Sequence, residues 1–218
     1  MKNFLSKSLC GLFVLISLYS FSQRTFGVNS GIGYTSFLCN GKYRGDFWSW
    51  HNPVSFAEFT MQSKINNNWS MIYGLGINKI GRYYSTVNPW LNTENPQNAY
   101  YFSTENFLTL GVPVLAQYET NGKNKLYFQS GLALQYWMAY SYTRTPGSPN
   151  SCFVETQGYE FNNIDLSINY QLEAGMKWQV AKKLEMKTGL RTFLEGYPVK
   201  SSYTPFGIYL TTGLRFTK

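Results

Sequence analysis

Between Lys125 and Thr143 the chain alternates with period two. Leu126, Phe128, Leu132, Leu134, Tyr136, Met138, Tyr140 and Tyr142 take even positions, with Ser130 among them. Tyr127, Gln129, Gly131, Ala133, Gln135, Trp137, Ala139 and Ser141 take the odd ones. Successive side chains of a strand point to opposite faces, so the pattern predicts one β-strand with a greasy face along its whole length. Ordinary strands have about five or six residues, so this one is roughly three times the usual length.

The alternation recurs seven more times. Strand one, about 24–35, sets Phe26, Val28, Ile32 and Tyr34 against Thr25, Gly27, Asn29, Gly31 and Gly33. Strand two, 54–64, sets Ala57, Phe59 and Met61 against Glu58, Thr60 and Gln62. Strand three, 69–80, sets Trp69, Met71, Tyr73, Leu75 and Ile77 against Ser70, Gly74, Gly76 and Asn78. Strand four, 103–119, sets Leu108, Leu110, Val112, Val114 and Tyr118 against Glu105, Thr109, Gly111 and Gln117. The stretch from Lys125 is strand five.

Strand six, 162–179, sets Ile164, Leu166, Ile168, Tyr170, Leu172, Met176 and Trp178 against Asp165, Ser167, Asn169, Gln171, Glu173, Gly175 and Lys177. Strand seven, 184–195, sets Leu184, Met186, Leu190 and Leu194 against Glu185, Lys187, Gly189, Arg191 and Glu195. Strand eight, 203–216, sets Phe206, Ile208, Leu210, Leu214 and Phe216 against Gly207, Tyr209, Thr211, Gly213 and Arg215. One such strand is a weak signal, whereas eight with no helical period between them predict an all-β, eight-stranded antiparallel up-and-down transmembrane barrel.

The connections alternate in length. Asn66–Asn68, "TNGKN" and "AKK" make tight turns, while about 36–53, 81–102 and 144–161 read as long loops and the last connection, near 197–202, is short. Short turns at one end and long loops at the other are the layout of outer-membrane barrels. A soluble barrel would bury its apolar face and put a charge-rich face in water. Here the polar face is rich in glycine and amides and poor in lysine, which suits a crowded lumen. Trp69, Tyr118, Phe128, Trp178 and Phe216 share outward parity near the short turns, as an interfacial aromatic girdle requires. Pro113 cannot donate to a ladder, and a bulge or kink is expected beside it.

Composition agrees. Aromatic residues are 18% and charged residues 14% of the chain, against a usual charged share of about 25%. Residues 1–22 read as a signal peptide: Lys2 and Lys7, an apolar core from Leu9 to Leu18, then small Ser20 and Ser22. Cys10 lies at the start of that core and not after it, which argues against a lipoprotein cysteine. Residues 23–218 are then the barrel domain. The formal net charge is +8, and +6 without Lys2 and Lys7. An exported chain with no basic run argues against nucleic acid and for lipid headgroups, including lipopolysaccharide, as surroundings.

"FLTLGVPVLAQYETNGKNKLYFQSGLALQY" resembles the core of the PorT-type outer membrane β-barrel family, through Leu110, Pro113, Leu115 and Tyr118 and then Gly131. "LEMKTGLRTFLEG" and "GIYLTTGLRF" are similar to later parts of that family. The resemblance implies an eight-stranded barrel, in some members linked to secretion and gliding machinery. Thr217 and Lys218 follow Phe216, a departure from the terminal aromatic common in such barrels.

Three function classes follow. For a pore, the inward set Glu58, Glu173, Lys177, Glu185, Lys187, Arg191 and Arg215 should instead pair as a luminal charge cluster, because isolated buried charges are costly, and eight strands leave a lumen that side chains can fill. For an enzyme, His51 is the one histidine, with Asp46 and Ser49 as local partners in "DFWSWHNP", a stretch that reads as turn chemistry. No catalytic residue, cofactor or metal site is expected, since one histidine and two separated cysteines do not match zinc spacing. For a binding or scaffolding surface, Tyr43, Phe47, Trp48, Trp50, Tyr83, Tyr84 and Trp90 are loop aromatics able to anchor a protein or glycan partner, or to pack on one another and the headgroup layer. Cys39 and Cys152 are a candidate disulfide across the loops, or two thiols packed beneath them. The expected protein is a monomeric, non-enzymatic barrel with a filled lumen, with an accessory role in secretion, a narrow pore or a lipid-modifying enzyme as alternatives.

Overall fold

The computed structural model describes residues 24–39, 53–87, 100–146, 155–160, 166–197 and 203–217. They form β1 (Arg24–Cys39), β2 (Val54–Lys64), β3 (Trp69–Val87), β4 (Tyr100–Glu119), β5 (Asn124–Pro146), β6 (Glu155–Glu160), β7 (Leu166–Ala181), β8 (Leu184–Tyr197) and β9 (Tyr203–Phe216). The sheet order is β4-β3-β2-β1-β9-β8-β7-β5, and β4 pairs with β5 to close the ring. Every pairing is antiparallel. Eight strands therefore close an up-and-down barrel, and β6 is a ninth strand outside the ring.

The closed ring removes every edge at membrane depth, which a bilayer demands of a sheet. Phe26, Val28, Ile32, Phe59, Leu75, Ile77, Val112, Leu132, Leu134, Ile168, Leu190, Leu210 and Leu214 all lie exposed on the outer wall. So broad an apolar belt around a barrel is a lipid-facing surface, and the protein is an integral outer-membrane barrel. Trp69, Tyr118, Phe128 and Phe216 are exposed toward the short-turn end, and Trp69 meets Tyr118 edge-on with ring centroids 5.3 Å apart.

Four features differ from the sequence expectation. The long loops are shorter than the alternation implied. β3 continues to Val87, β4 begins at Tyr100 and β5 reaches Pro146, so Tyr83 and Tyr84 are strand residues paired with Thr104 and Ser103. Cys39 likewise ends β1, in register with Tyr203. Within the third loop, β6 pairs with β5 from Ala139 to Arg144.

Pro113 carries no bulge. It pairs with Ala133 in unbroken register. Toward β3 the ladder lapses between Tyr73↔Val114 and Gly76↔Gly111 and resumes in the same register. The missing N–H is absorbed by that gap, and Gly74 leaves room: a Cβ there would stand 3.0 Å from Pro113 Cγ. The bulge lies instead between Leu108 and Thr109, which pair with Ala139 and Trp137 and leave Met138 as the extra residue.

That bulge corrects the reading of strand five. One extra residue reverses the faces of everything beyond it. Up to Trp137 the odd positions face inward, whereas Ala139 is paired with the exposed Leu108.

The lumen is also less uniformly polar than expected. Val54, Phe56, Ile80, Phe193 and Tyr209 are buried together at its loop end, with Phe107 and Trp137 packed against them. Ile72, Leu115 and Tyr127 are buried farther down. Phe56 and Phe193 meet the Tyr209 ring at 5.2 and 5.7 Å between centroids.

Candidate functional site in the barrel lumen

Inward parity on six strands brings charges from distant parts of the chain into one space. Glu173 on β7 is its centre. Its Oε1 accepts from Tyr127 Oη at 2.6 Å, Lys187 Nζ at 3.0 Å and Thr211 Oγ1 at 3.1 Å. Its Oε2 accepts from Arg191 Nε at 2.8 Å. Arg191 then spends Nη1 on Glu58 Oε1 at 2.6 Å, and its guanidinium lies 4.3 Å from the Phe56 ring centroid. Planar, fork-shaped donors allow one arginine to serve two carboxylates at once.

A second group lies toward the short turns, around Glu119. Lys177 Nζ is 2.5 Å and Arg215 Nη1 3.6 Å from Glu119 Oε1. Gln62 donates to that oxygen at 3.2 Å, and Gln117 donates to it too. Gln129 donates to Gln117 Oε1 at 2.6 Å, and Gln62 to Ser70 Oγ at 2.5 Å. Lys125 Nζ stands 3.3 Å from Glu185 Oε1 and 3.8 Å from Glu119 Oε2. The two groups meet at Tyr127, whose ring centroid is 5.0 Å from Lys177 Nζ and 5.4 Å from Lys187 Nζ.

The structure thus brings Glu58, Glu173, Lys187 and Arg191 together, and joins Lys177 and Arg215 to a different carboxylate. Glu185 sits apart with Lys125 at the rim, part-buried. Glu119 and Tyr127 escaped the sequence reading. Glu119 is the last residue of β4, where it looks like turn chemistry. Tyr127 looks like one more aromatic, although its odd position in the alternation was the signal that it faces inward.

Glu195 is also inside, with 5% exposure, and neither of its carboxylate oxygens has a hydrogen-bond partner. Below it a cavity of about 10 Å³ is lined by Gln135, Asn169, Gln171, Arg191 and Tyr209 among others. Gln135 Oε1, Gln171 Oε1 and Asn169 Nδ2 are unpaired there. Two acceptors and one donor around such a volume suit a single bound water.

Chemically, a filled and paired lumen is a plug. Buried pairs contribute little net stability against an apolar core, yet removing one partner is costly because it strands the other. Among the described residues, no three His, Cys, Asp or Glu side chains gather as a metal set. His51, Asp46 and Ser49 lie outside the described residues, as do Tyr43, Phe47, Trp48, Trp50, Trp90, Cys152 and residues 1–22, where the signal segment is expected. The side chains of Cys39, Tyr83 and Tyr84 also lie outside them.

No family model and no curated protein matches the chain. Solved structures do. Neisserial surface protein A is 12% identical, with a TM-score of 0.48, covering 88% of this chain and 97% of its own. The attachment invasion locus protein Ail of Yersinia pestis, in complex with the heparin analogue sucrose octasulfate, is 11% identical at a TM-score of 0.43, covering 89% and 99%. The outer membrane protease OmpT from Escherichia coli is 8% identical at 0.44, covering 91% and 98%. At such identities the likeness is one of architecture, and no site residue or activity is transferred from it.

Proposed function

We propose that this protein is a non-conducting, non-enzymatic outer-membrane barrel that acts as a binding or scaffolding element through its extracellular end. The observation that carries the reading is the behaviour of β5. Among the described residues it pairs with β7 up to Tyr136 and with β6 from Ala139, and stays paired with β4 as far as Pro146. The described upper parts of β3, β4, β5 and β6 form one continuous sheet. Rigid strands hold a contact surface in place at lower entropic cost than free loops. The ion-paired, glutamine-lined lumen supports the non-conducting part, since eight strands leave space that side chains fill. Lipid and lipopolysaccharide surround the belt of a monomer, and the partner at this upper sheet is a protein or glycan.

A photocrosslinking residue at Thr143, on the upper part of β5, tests this in intact cells, with Leu210 of the lipid-facing belt as the control. A discrete protein or glycan adduct at Thr143 and lipid adducts at Leu210 are expected. Lipid or lipopolysaccharide adducts alone at both positions would overturn the reading. The PorT-type motif of Leu110, Pro113, Leu115 and Tyr118 supports a narrower alternative, an accessory part of a secretion apparatus. It calls for adducts to envelope proteins rather than to surface ligands.

A further inference from the structure

One ladder row crosses five strands as Lys125, Lys177, Lys187, Gly213 and Asn29. Three lysines thus stand directly opposite one another on neighbouring strands, an arrangement that destabilises a sheet unless anions intervene. The carboxylates that intervene are too few. Lys125, Lys177, Lys187, Arg191 and Arg215 share Glu58, Glu119, Glu173 and Glu185, so with every group ionised the cluster holds one positive charge in excess. The other buried acids among the described residues, Glu105 and Glu195, lie toward the loop end.

The shortfall falls on Arg215. It is 7% exposed, and its ion contact, with Glu119, is 3.6 Å long, beyond hydrogen-bond range. Glu119 is already held by Lys177 at 2.5 Å. Beside Arg215 lies a cavity of about 10 Å³, bordered by Lys177, Lys187, Asn29 and Glu185. Gly213 lets the Asn29 and Lys187 side chains approach each other in this row: a Cβ there would run into Asn29 Oδ1 and stand 3.0 Å from Lys187 Cε. Glu185, in register with Arg215 and on the border of the same cavity, is shared with Lys125 at 3.3 Å.

We propose that this cavity is a site for a monatomic anion of the halide class, held by Arg215, Lys187 and Lys177. A space of that size excludes phosphate and organic carboxylates, and a halide, somewhat larger than water, enters as the flexible Lys177 and Lys187 ends give way. Three cationic side chains and a surplus charge select an anion over a water molecule. A charge left unneutralised in a low-dielectric interior is otherwise expensive.

The test uses the full barrel, folded in detergent and crystallised from sodium bromide. An anomalous bromide peak between Arg215 and Lys187 is expected, and R215Q should lose it. In solution the heat-modifiable gel band should convert at a higher temperature in chloride than in gluconate of equal ionic strength, a difference R215Q removes. Absence of bromide density in the wild-type barrel overturns the site. Bromide density that persists in R215Q overturns the assignment to Arg215. The wild-type crystal decides the first question even if R215Q does not fold.

Discussion

Arg191 on β8 and Glu58 on β2 join at 2.6 Å between residues 133 apart in sequence. β1 and β9 separate their strands in the ring, so the pair reaches across the lumen rather than along its wall. Because Arg191 also holds Glu173, replacing it with alanine leaves two buried carboxylates short of a partner. R191A should lose roughly 3 to 5 kcal/mol of stability, read by urea unfolding of the micelle-folded barrel. Unchanged unfolding would show that the lumen is wet enough to solvate both acids.

Tyr127 tests the same hub from the donor side. Its hydroxyl is one of three groups on Glu173 Oε1, at 2.6 Å. Y127F should cost about 1.5 to 3 kcal/mol, the range for a hydrogen bond to a charged group. A loss below half a kcal/mol, by the same urea titration, would mean that Lys187 and Thr211 suffice.

Gly175 and Gly189 face each other between β7 and β8, and the Tyr127 hydroxyl lies over both. A Cβ at Gly175 would run into the Thr188 carbonyl as well, and backbone cannot swing away. G175A should therefore lose about 1 to 3 kcal/mol through overpacking, and adding Y127F should not restore it. Rescue in the double variant would place the clash on the tyrosine alone.

The belt makes a depth-dependent prediction. Leu210, 65% exposed, pairs with Ile32 and Leu190 near the middle of the wall. Phe216 closes β9 beside the short turns. L210R should cost about 2 to 4 kcal/mol, and F216R about 0 to 1, as expected for the bilayer midplane and interface. Refolding titrations in lipid vesicles measure both. Equal costs at the two positions would contradict a membrane embedding of this belt.

Period two in the sequence determines most of the wall. Outside the upper part of β5, the apolar sets face out and the polar sets face in, because a lipid exterior leaves polar side chains nowhere else to go. Strand count, tight turns and the inward parity of Glu58, Glu173 and Arg191 are all readable that way. Parity says which side a residue faces but not how far along the lumen it sits. That height depends on register, and register is set by the stagger of eight strands closing on themselves. Only the closed barrel therefore decides that Glu119 meets Lys177, that Arg191 spans Glu58 and Glu173, and that Arg215 is left 3.6 Å from its carboxylate.

The bulge at Met138 shows the same division. Nothing in the run from Lys125 to Thr143 marks an extra residue, since large side chains continue on the even positions. The reversal of faces comes from how β5 must pair with β4. Likewise Val54, Phe56, Ile80, Phe193 and Tyr209 read as scattered exceptions on polar faces, yet they converge into one apolar layer across the lumen. Side-chain alternation is a local property that the chain carries with it. The contacts across the lumen exist only once β4 and β5 have closed the ring, because pairing partners far apart in sequence are fixed by closure.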